Sequence, residues 1–321
     1  MFQGSLNLQA LIFRLASRLA VVFLSLTVVA EPLRIVVTLP AIHSWAANVV
    51  GEAAEVETLL PADVGPHDFQ FRPSDMRKLA KADLILINGL GVDDWLTRTI
   101  ANGGGKPRHR VITVSDGVAT QLIYHLPQLT IDAGKSSTHA HGHGHDSKAD
   151  KDPPNPHIWL DPIIAQQCVS NILAALLVAD PSNAEGYKSR AAAYLRELTD
   201  LDRSIRSSLM EVKNRRIVTF HNAFPYFCRR YDLALIGVIE QVPSVDPSPK
   251  YLAGLLAAIR KNSVDVLFTE PQFNPRLAKR IAGDLKIQMA ELDVLETGKS
   301  SKAFYVEGMR RNLAALKAAL R

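Results

Sequence analysis

The chain has 321 residues, of which 47% are hydrophobic and 21% are charged. This ordinary globular composition excludes disorder over the whole length and provides apolar mass for one large domain or two medium ones. The formal net charge is only +5, and no run of Lys and Arg is long enough to follow a phosphate backbone, so no nucleic acid partner is expected.

The first thirty residues form a compositional block of their own. Arg14 and Arg18 precede an apolar run from Leu19 to Ala30, and this arrangement is typical of a secretory signal peptide. A membrane anchor is the less favoured alternative, because a membrane-spanning helix needs roughly 20 apolar residues. We therefore predict a signal peptide at 1–30, cleavage near Ala30 and export to the periplasm.

Between residues 31 and 180, short apolar runs alternate with segments of helical spacing. The runs LRIVV, DLILI and RVITV are rich in Val, Ile and Leu, as is typical of parallel strands covered on both faces by helices. We predict an N-terminal α/β lobe over 31–180. The part at about 130–156 is rich in Ser, Gly, His, Asp, Lys and Pro, and it buries too little apolar surface to offset the entropy of ordering, so a mobile surface loop is expected there.

A long helix is predicted at 181–212. Asp180 and Pro181 are typical of a helix start. Apolar residues then recur at helical spacing, at Tyr187, Ala191, Tyr194, Leu195, Leu198, Leu201, Ile205 and Leu209. A helix of roughly 30 residues is about 45 Å long, so we expect one rigid helix that joins two lobes.

The alternation of strands and helices begins again at 213 and continues to 321, with runs such as RIVTF, LALIGVIE and DVLFTE. We therefore predict an α/β fold of two lobes, each with a mostly parallel sheet flanked by helices, joined by the long helix. Open parallel sheets bind ligands beyond the carboxyl ends of their strands, so the expected ligand site is a cleft between the lobes.

Three histidines stand where a strand or loop is followed by a helix. His67 lies in GPHDF, His157 lies in NPHIW, and His221 directly follows RIVTF. A single histidine at such a position is more often a structural residue. Neutral imidazole is nevertheless the commonest protein ligand for zinc, so three matching contexts predict a metal site.

Four further histidines lie in the polar loop and alternate with Gly and Ala, namely His139, His141, His143 and His145. Several imidazoles on a flexible tether bind divalent ions weakly and exchange them quickly. We expect an auxiliary metal-binding loop, and the alternative is a solvated loop without a role in metal binding.

Other polar and sulfur-containing residues are expected to have mainly structural roles. Cys168 and Cys228 lie in apolar helical stretches, which favours buried free thiols over a disulfide. Asp161 precedes Pro162 and is typical of a helix N-cap. For His43, which opens the first helix, three alternatives stay open: a contact to a ligand, a site for an entering ion, or a helix-start residue.

The segments that carry these histidines resemble a known family. GPHDFQFRPSDMRKLAKADLILINGLGVDDWL, NPHIWLDP, TFHNAFPYFCRRYDL, FTEPQFNP and LDVLETG are similar to the ordered motifs of the zinc and manganese substrate-binding proteins of ABC transporters, the ZnuA-like or cluster A-I family. The resemblance covers essentially the whole mature chain. The His-rich insertion before the second histidine resembles the zinc-specific branch.

The resemblance implies a metal ion held between two lobes. Position by position it assigns His67, His157 and His221 as ligands, with Asp293 in LDVLETG as the acidic fourth ligand. Three imidazoles and one carboxylate suit tetrahedral Zn(II), whereas manganese, the alternative, prefers more oxygen ligands. Glu270, in FTEPQF, is expected to support the site by hydrogen bonding to a ligand or to the backbone.

The implied function is high-affinity capture of zinc in the periplasm and its delivery to the membrane permease of an ABC importer, without a chemical reaction. We expect a monomer, with a periplasmic metallochaperone as a further partner. One alternative is an exported zinc hydrolase, but such enzymes keep an open position on the metal, and the sequence contains no HExxH motif. The other is a scaffold or adhesion protein, which would unfold without its metal.

Overall fold

The computed structural model describes residues 31–102, 110–124, 153–241 and 245–320. The predicted signal peptide at 1–30 lies outside the described residues, and so do His139, His141, His143 and His145 of the predicted metal-binding loop.

The N-terminal lobe is built on a four-stranded parallel sheet in the order β2-β1-β3-β4. Its elements are β1 (Leu33–Val37), α1 (Pro40–Val50), β2 (Ala54–Thr58), α2 (Pro73–Lys81), β3 (Leu84–Ile87), α3 (Asp94–Asn102) and β4 (Arg110–Thr113). All four residues of the inner strand β3 are buried. Helices therefore cover both faces of this sheet, as its continuous apolar strands predict.

Two helices follow the sheet of the N-terminal lobe. Helix α4 (Pro162–Ala179) begins at Asp161, whose carboxylate accepts the N–H groups of Ile163 and Ile164 as the predicted N-cap. Among the described residues, α4 alone is long and apolar enough to cross a membrane. Its apolar residues are used in the core, where it packs against α1 and the next helix. That helix, α5 (Ala184–Met210), has 27 residues and starts after a 3₁₀ turn at Pro181–Asn183.

The C-terminal lobe repeats the architecture of the first, with a parallel sheet in the order β6-β5-β7-β8. Its elements are β5 (Arg216–His221), α6 (Pro225–Tyr231), β6 (Ala234–Glu240), α7 (Pro249–Lys261), β7 (Val266–Thr269), α8 (Arg276–Leu285), β8 (Gln288–Glu291) and α9 (Phe304–Ala319). The strand orders of the two sheets are equivalent, so the carboxyl end of β5 occupies the same place in its sheet as that of β1.

The long helix and one continuous core hold the two lobes together. Helix α5 packs against α1 on the N-terminal side and against α9 on the C-terminal side. The core that it lines includes Trp45 and Trp159 from the first half of the chain and Phe224 and Tyr305 from the second, all essentially inaccessible to solvent. A large rotation between the lobes would separate these packed side chains, so the fold favours small adjustments and loop motion.

Candidate metal centre

Four polar side chains from separate elements meet between the lobes. His221 is the last residue of β5, at the carboxyl end of that strand, and Glu296 lies in the loop between β8 and α9. His157 immediately precedes the 3₁₀ turn Ile158–Leu160. His67 lies in the long connection between β2 and α2. The parallel topology thus gathers residues that are far apart in sequence at one cleft.

The geometry of the group is that of a metal site. His67, His157, His221 and Glu296 each offer a ligand atom, and these four atoms lie within 4.8 Å of one another. The Nε2 atoms of His157 and His221 are 3.2 Å apart. The Oε1 atom of Glu296 lies 3.0 Å from Nε2 of His157 and 3.7 Å from Nε2 of His67. Four donors at this spacing match the number and types of ligand of tetrahedral zinc.

Hydrogen bonds on the far side of each buried ring set its orientation. Nδ1 of His157 lies 2.9 Å from Oδ1 of Asn155, and Nδ1 of His221 lies 2.6 Å from Oε2 of Glu270. Because both partners are acceptors, we assign the proton of each neutral ring to Nδ1, which leaves a lone pair on Nε2. Glu270 also accepts the backbone N–H of His221 at 3.0 Å. In their neutral forms, both rings therefore direct lone pairs at one point, as metal-binding histidines do.

Burial and charge act differently on the three buried groups. Burial lowers the pKa of His157 to about 4, against the opposing effect of Glu296. Burial alone would lower the pKa of His221, but the adjacent Glu270 outweighs it and leaves that pKa above its ordinary value. Burial would raise the pKa of Glu296, yet the imidazoles of His157 and His67 hold it well below its usual range. At neutral pH the site therefore contains an ionised carboxylate and a neutral His157.

Glu296 provides a test of whether these residues fit a cation. The residue is 3% exposed, and among the described residues no group makes a well-directed hydrogen bond to its Oε1 atom. A buried, ionised oxygen without such a partner is costly. A divalent ion between this oxygen and the three imidazoles would satisfy it, so the residues fit a metal.

The structure does not bring Asp293, the predicted fourth ligand, into the group, and Glu296 stands beside the three histidines in its place. The Oδ1 atom of Asp293 accepts the N–H of Leu295 at 2.8 Å, and its Oδ2 atom lies 3.6 Å from Arg311. Its backbone N–H and C=O are both bonded to the side chain of Asn312. Asp293 thus shapes the loop after β8, and the acid three residues later reaches the histidines. Both acids lie in LDVLETG, and only the course of the loop distinguishes them.

The other residues considered from sequence lie outside the group. Nε2 of His43 is bonded to the backbone oxygen of Val56 at 3.1 Å, so this histidine ties α1 to β2. Asp161 caps α4 and also accepts Nε of Arg230 at 2.8 and 2.9 Å. Cys168 and Cys228 are buried free thiols, as predicted.

A cavity of about 340 Å³ connects the group with solvent. It is lined by Asp63, Val64, Gly65, His67, Asp68, Gln272, Phe273, Asn274 and Glu296. The side chain of His67 is 27% exposed, whereas those of His157 and Glu296 are 4% and 2% exposed. His67 therefore stands on the solvent side of the group.

The fold and the site together define a metal-binding protein with two α/β lobes. Comparison with known families is specific: residues 35–319 match the model of the family described as ZnuA, zinc-uptake complex component A, periplasmic. The chain belongs to this family, which consists of substrate-binding proteins of zinc transporters, and the resemblance stated from the motifs is confirmed.

Individual relatives agree with this assignment. The high-affinity zinc uptake system protein ZnuA of Bacillus subtilis is 28% identical over 294 residues, covering 90% of this chain and 88% of the relative. The protein of the same description from Haemophilus ducreyi is 30% identical over 274 residues, covering 81% and 84%.

Solved structures confirm the predicted fold class. The SBP FpvC of Pseudomonas aeruginosa, in complex with Mn²⁺, superposes with a TM-score of 0.76 at 28% identity, over 90% of this chain and 99% of that one. A crystal structure of ZnuA, at 23% identity, shows the same fold with a TM-score of 0.75, over 91% and 100% of the two chains.

Proposed function

We propose that this protein captures Zn(II) outside the cytoplasm and delivers it to the membrane permease of an ABC importer. The observation that carries the proposal is the convergence of three imidazoles and one buried carboxylate on a single point. Membership of the zinc-uptake family, and relatives described as high-affinity zinc uptake proteins, supply the transport role.

The donor set favours zinc as the transported substrate. Three imidazole nitrogens and one carboxylate oxygen complete a tetrahedral shell, and manganese is better served by a shell richer in oxygen. FpvC, a structural neighbour of this chain, was solved with Mn²⁺ and with Ni²⁺. Manganese or another divalent metal is therefore the alternative cargo, and the ligand count argues for zinc.

Capture uses the difference in burial between the ligands. The 3₁₀ turn after His157 is held by groups that follow β8, because Trp159 Nε1 donates to Val294 O at 2.7 Å and Tyr305 Oη donates to Trp159 O at 2.6 Å. The buried ligands thus form a prepared half-site. His67 lies in a connection without strand or helix between Thr58 and Pro73, so we propose that its loop closes on the ion and withdraws at the permease.

We propose that the protein is a carrier and not an enzyme, because four protein ligands leave no position for a reactive water. The remaining proposals concern its setting. They are export with cleavage near Ala30, a monomeric state, a periplasmic metallochaperone as donor, and an auxiliary role for the histidines at 139–145. The proposed domain bounds are 31–180, 181–212 and 213–321.

The proposal is tested by titrating the metal-stripped protein with zinc in competition with a chelator of known affinity. We expect one tight equivalent, a folded metal-free protein, and a large loss of affinity in His157→Ala. His43→Ala is the matched control, because that histidine is bonded to Val56 outside the group, and a variant lacking 136–147 should keep the tight site.

Three outcomes would contradict the proposal. Unchanged affinity in His157→Ala would place the site elsewhere, and loss of the tight site on deletion of 136–147 would assign it to the loop. A metal-bound water in place of one protein ligand, seen by X-ray absorption, would favour a zinc hydrolase.

A further inference from the structure

Asn155 is bonded at both ends of its carboxamide. Its Oδ1 atom accepts the backbone N–H of His157 at 3.0 Å and faces Nδ1 of the same residue at 2.9 Å. Its Nδ2 atom donates to the backbone oxygen of Asn222 at 2.7 Å. Asn222 directly follows His221, the last residue of β5. One side chain therefore contacts the segments of two candidate ligands that are 64 residues apart.

The backbone of Asn155 is anchored as well. Its N–H donates to Ile123 O at 2.8 Å, and its carbonyl accepts Tyr226 Oη at 2.7 Å. Tyr226 Oη in turn accepts the N–H of Ile123 at 3.1 Å. Since Tyr226 lies on α6 of the C-terminal lobe, Asn155 is clamped between the two halves of the chain.

The hydrogen-bond partners of Asn155 determine which end of its carboxamide is the oxygen and which is the NH₂ group. A backbone carbonyl only accepts hydrogen bonds, so the oxygen of Asn222 requires the NH₂ end of Asn155. The carbonyl end of Asn155 must then face His157, and an acceptor at that place requires the proton of the neutral ring on Nδ1. The contact to Asn222 thereby leaves Nε2 of His157 free as a ligand atom.

We propose that Asn155 is a positioning residue that fixes the tautomer of His157 and, by bridging to Asn222, sets the spacing of the His157 and His221 ligand atoms. Glu270 orients only the His221 ring, whereas Asn155 couples the segments of both histidines. This inference rests on the proposed zinc-binding function and adds a residue that does not touch the ion.

Two substitutions test the contacts at the two ends of the Asn155 side chain. Asn155→Ala removes both contacts, and Asn155→Asp keeps an acceptor for His157 but loses the donor to Asn222. The matched control is Asn171→Ala, because Asn171 also donates to two backbone oxygens, of Val114 and Asp116, outside the site. The readouts are zinc affinity, the visible absorption of the Co(II) form, and the His157 tautomer in the metal-free protein from ¹⁵N NMR.

For Asn155→Ala we expect zinc affinity to fall by about 10- to 100-fold, as for other partners of metal-bound histidines, together with a mixture of His157 tautomers. For Asn155→Asp we expect the Nδ1–H tautomer to be retained and the Co(II) absorption to change, because the bridge is lost. Asn171→Ala should match the wild type in all three readouts.

The inference is overturned if Asn155→Ala binds zinc within about twofold of the wild type with an unchanged Co(II) spectrum, or if Asn155→Asp loses the Nδ1–H tautomer. If Asn155→Ala does not fold, the isosteric Asp variant decides by its tautomer and spectrum. Weak zinc binding by the wild type itself would instead contradict the proposed function.

Discussion

The Nε2 atoms of His157 and His221 lie 3.2 Å apart, and each ring is hydrogen-bonded through Nδ1 to an acceptor on its far side. Two neutral imidazoles in this arrangement point lone pairs at each other. A proton shared between the rings or a metal ion relieves the repulsion. The metal-free group is therefore prepared for a cation, and under the proposed function protons compete with zinc for the same atoms.

Substitutions of Glu296 and Asp293, the two acids of LDVLETG, should have different effects on zinc affinity. We expect Glu296→Gln to weaken zinc binding by more than about 100-fold, since the loss of a partner behind a ligand already costs about 10- to 100-fold. Asp293→Ala should leave zinc affinity within about threefold. It should lower the free energy of unfolding by about 1 kcal/mol, because the loop loses its hydrogen bond to the N–H of Leu295. Chelator competition and urea unfolding measure the two effects, and the reverse pattern would restore Asp293 as the ligand.

Zinc affinity should rise with pH through the raised pKa of His221. Glu270 holds that pKa above the ordinary value of 6.5, so below the raised pKa a proton must leave His221 before zinc binds. Below that pKa, affinity should fall by about tenfold per pH unit, as for one proton released per ion. In Glu270→Gln the fall in zinc affinity should begin at a lower pH. Above that pH, where zinc affinity no longer depends on this proton, binding should be about tenfold weaker than in the wild type. Titrations from pH 5.5 to 8.5 measure both, and the exposed Glu307→Gln serves as control. An unshifted pH profile in Glu270→Gln would contradict this account.

The metal-free protein should lose stability between pH 6.5 and pH 4 through His157. Its pKa is about 4 in the folded protein and 6.5 in the reference state, so in this window the unfolded chain binds the additional proton and unfolding is favoured. The difference between these two pKa values corresponds to at most about 3 kcal/mol in the free energy of unfolding.

The lowered pKa of Glu296 also makes the metal-free protein less stable in acid. Its contribution to the free energy of unfolding is present above pH 4.5 and is lost as the pH falls through the lowered pKa. His221 acts oppositely, since its contribution is fully present below pH 6.5 and is lost as the pH rises through its raised pKa. Urea unfolding of the wild type and of His157→Gln at several pH values isolates the His157 part. If the free energy of unfolding varies with pH in the same way in both proteins, the pKa of His157 is not lowered in the folded protein and this prediction is wrong.

The ion pair between Arg230 and Asp161 should stabilise the contact between the lobes. Asp161 is completely buried, while the Arg230 side chain is 24% exposed. Arg230→Ala should therefore lower the free energy of unfolding by about 3 kcal/mol, at the low end for a broken buried pair, because Asp161 keeps its backbone partners. Arg203→Ala, which breaks an exposed pair with Asp200, should cost less than about 0.5 kcal/mol. Equal effects of the two substitutions would contradict a role for the buried pair.

Much of the fold follows from local patterns in the chain. The runs LRIVV, DLILI and RIVTF are strands of parallel sheets, as their continuous apolar character predicts. The helix predicted at 181–212 is α5, and its buried positions from Tyr187 to Leu209 recur at helical spacing. The apolar pattern of a buried strand or of one buried helix face lies in residues close together in sequence. Such strands and helices can therefore be predicted without a structure.

The carboxylate of the candidate metal site could not be identified from local sequence patterns. Asp293 and Glu296 are three residues apart in one irregular loop, and neither a strand period nor a helix period says which one faces the cleft. The choice depends on Asn312, whose side chain holds the backbone of Asp293, and on Arg311, beside its carboxylate. Both belong to α9, and no sequence pattern links them to the loop.

The sequence by itself determined the class of protein, the two α/β lobes and three histidines at ends of strands and starts of helices, because apolar periodicity and short motifs are local properties. Only the tertiary structure decided that Glu296 completes the group, that His67 is its exposed member, and that Asn155 joins the segments of His157 and His221. These relationships are distances between residues far apart in the chain, and they are set by how the two sheets and α5 pack into one core.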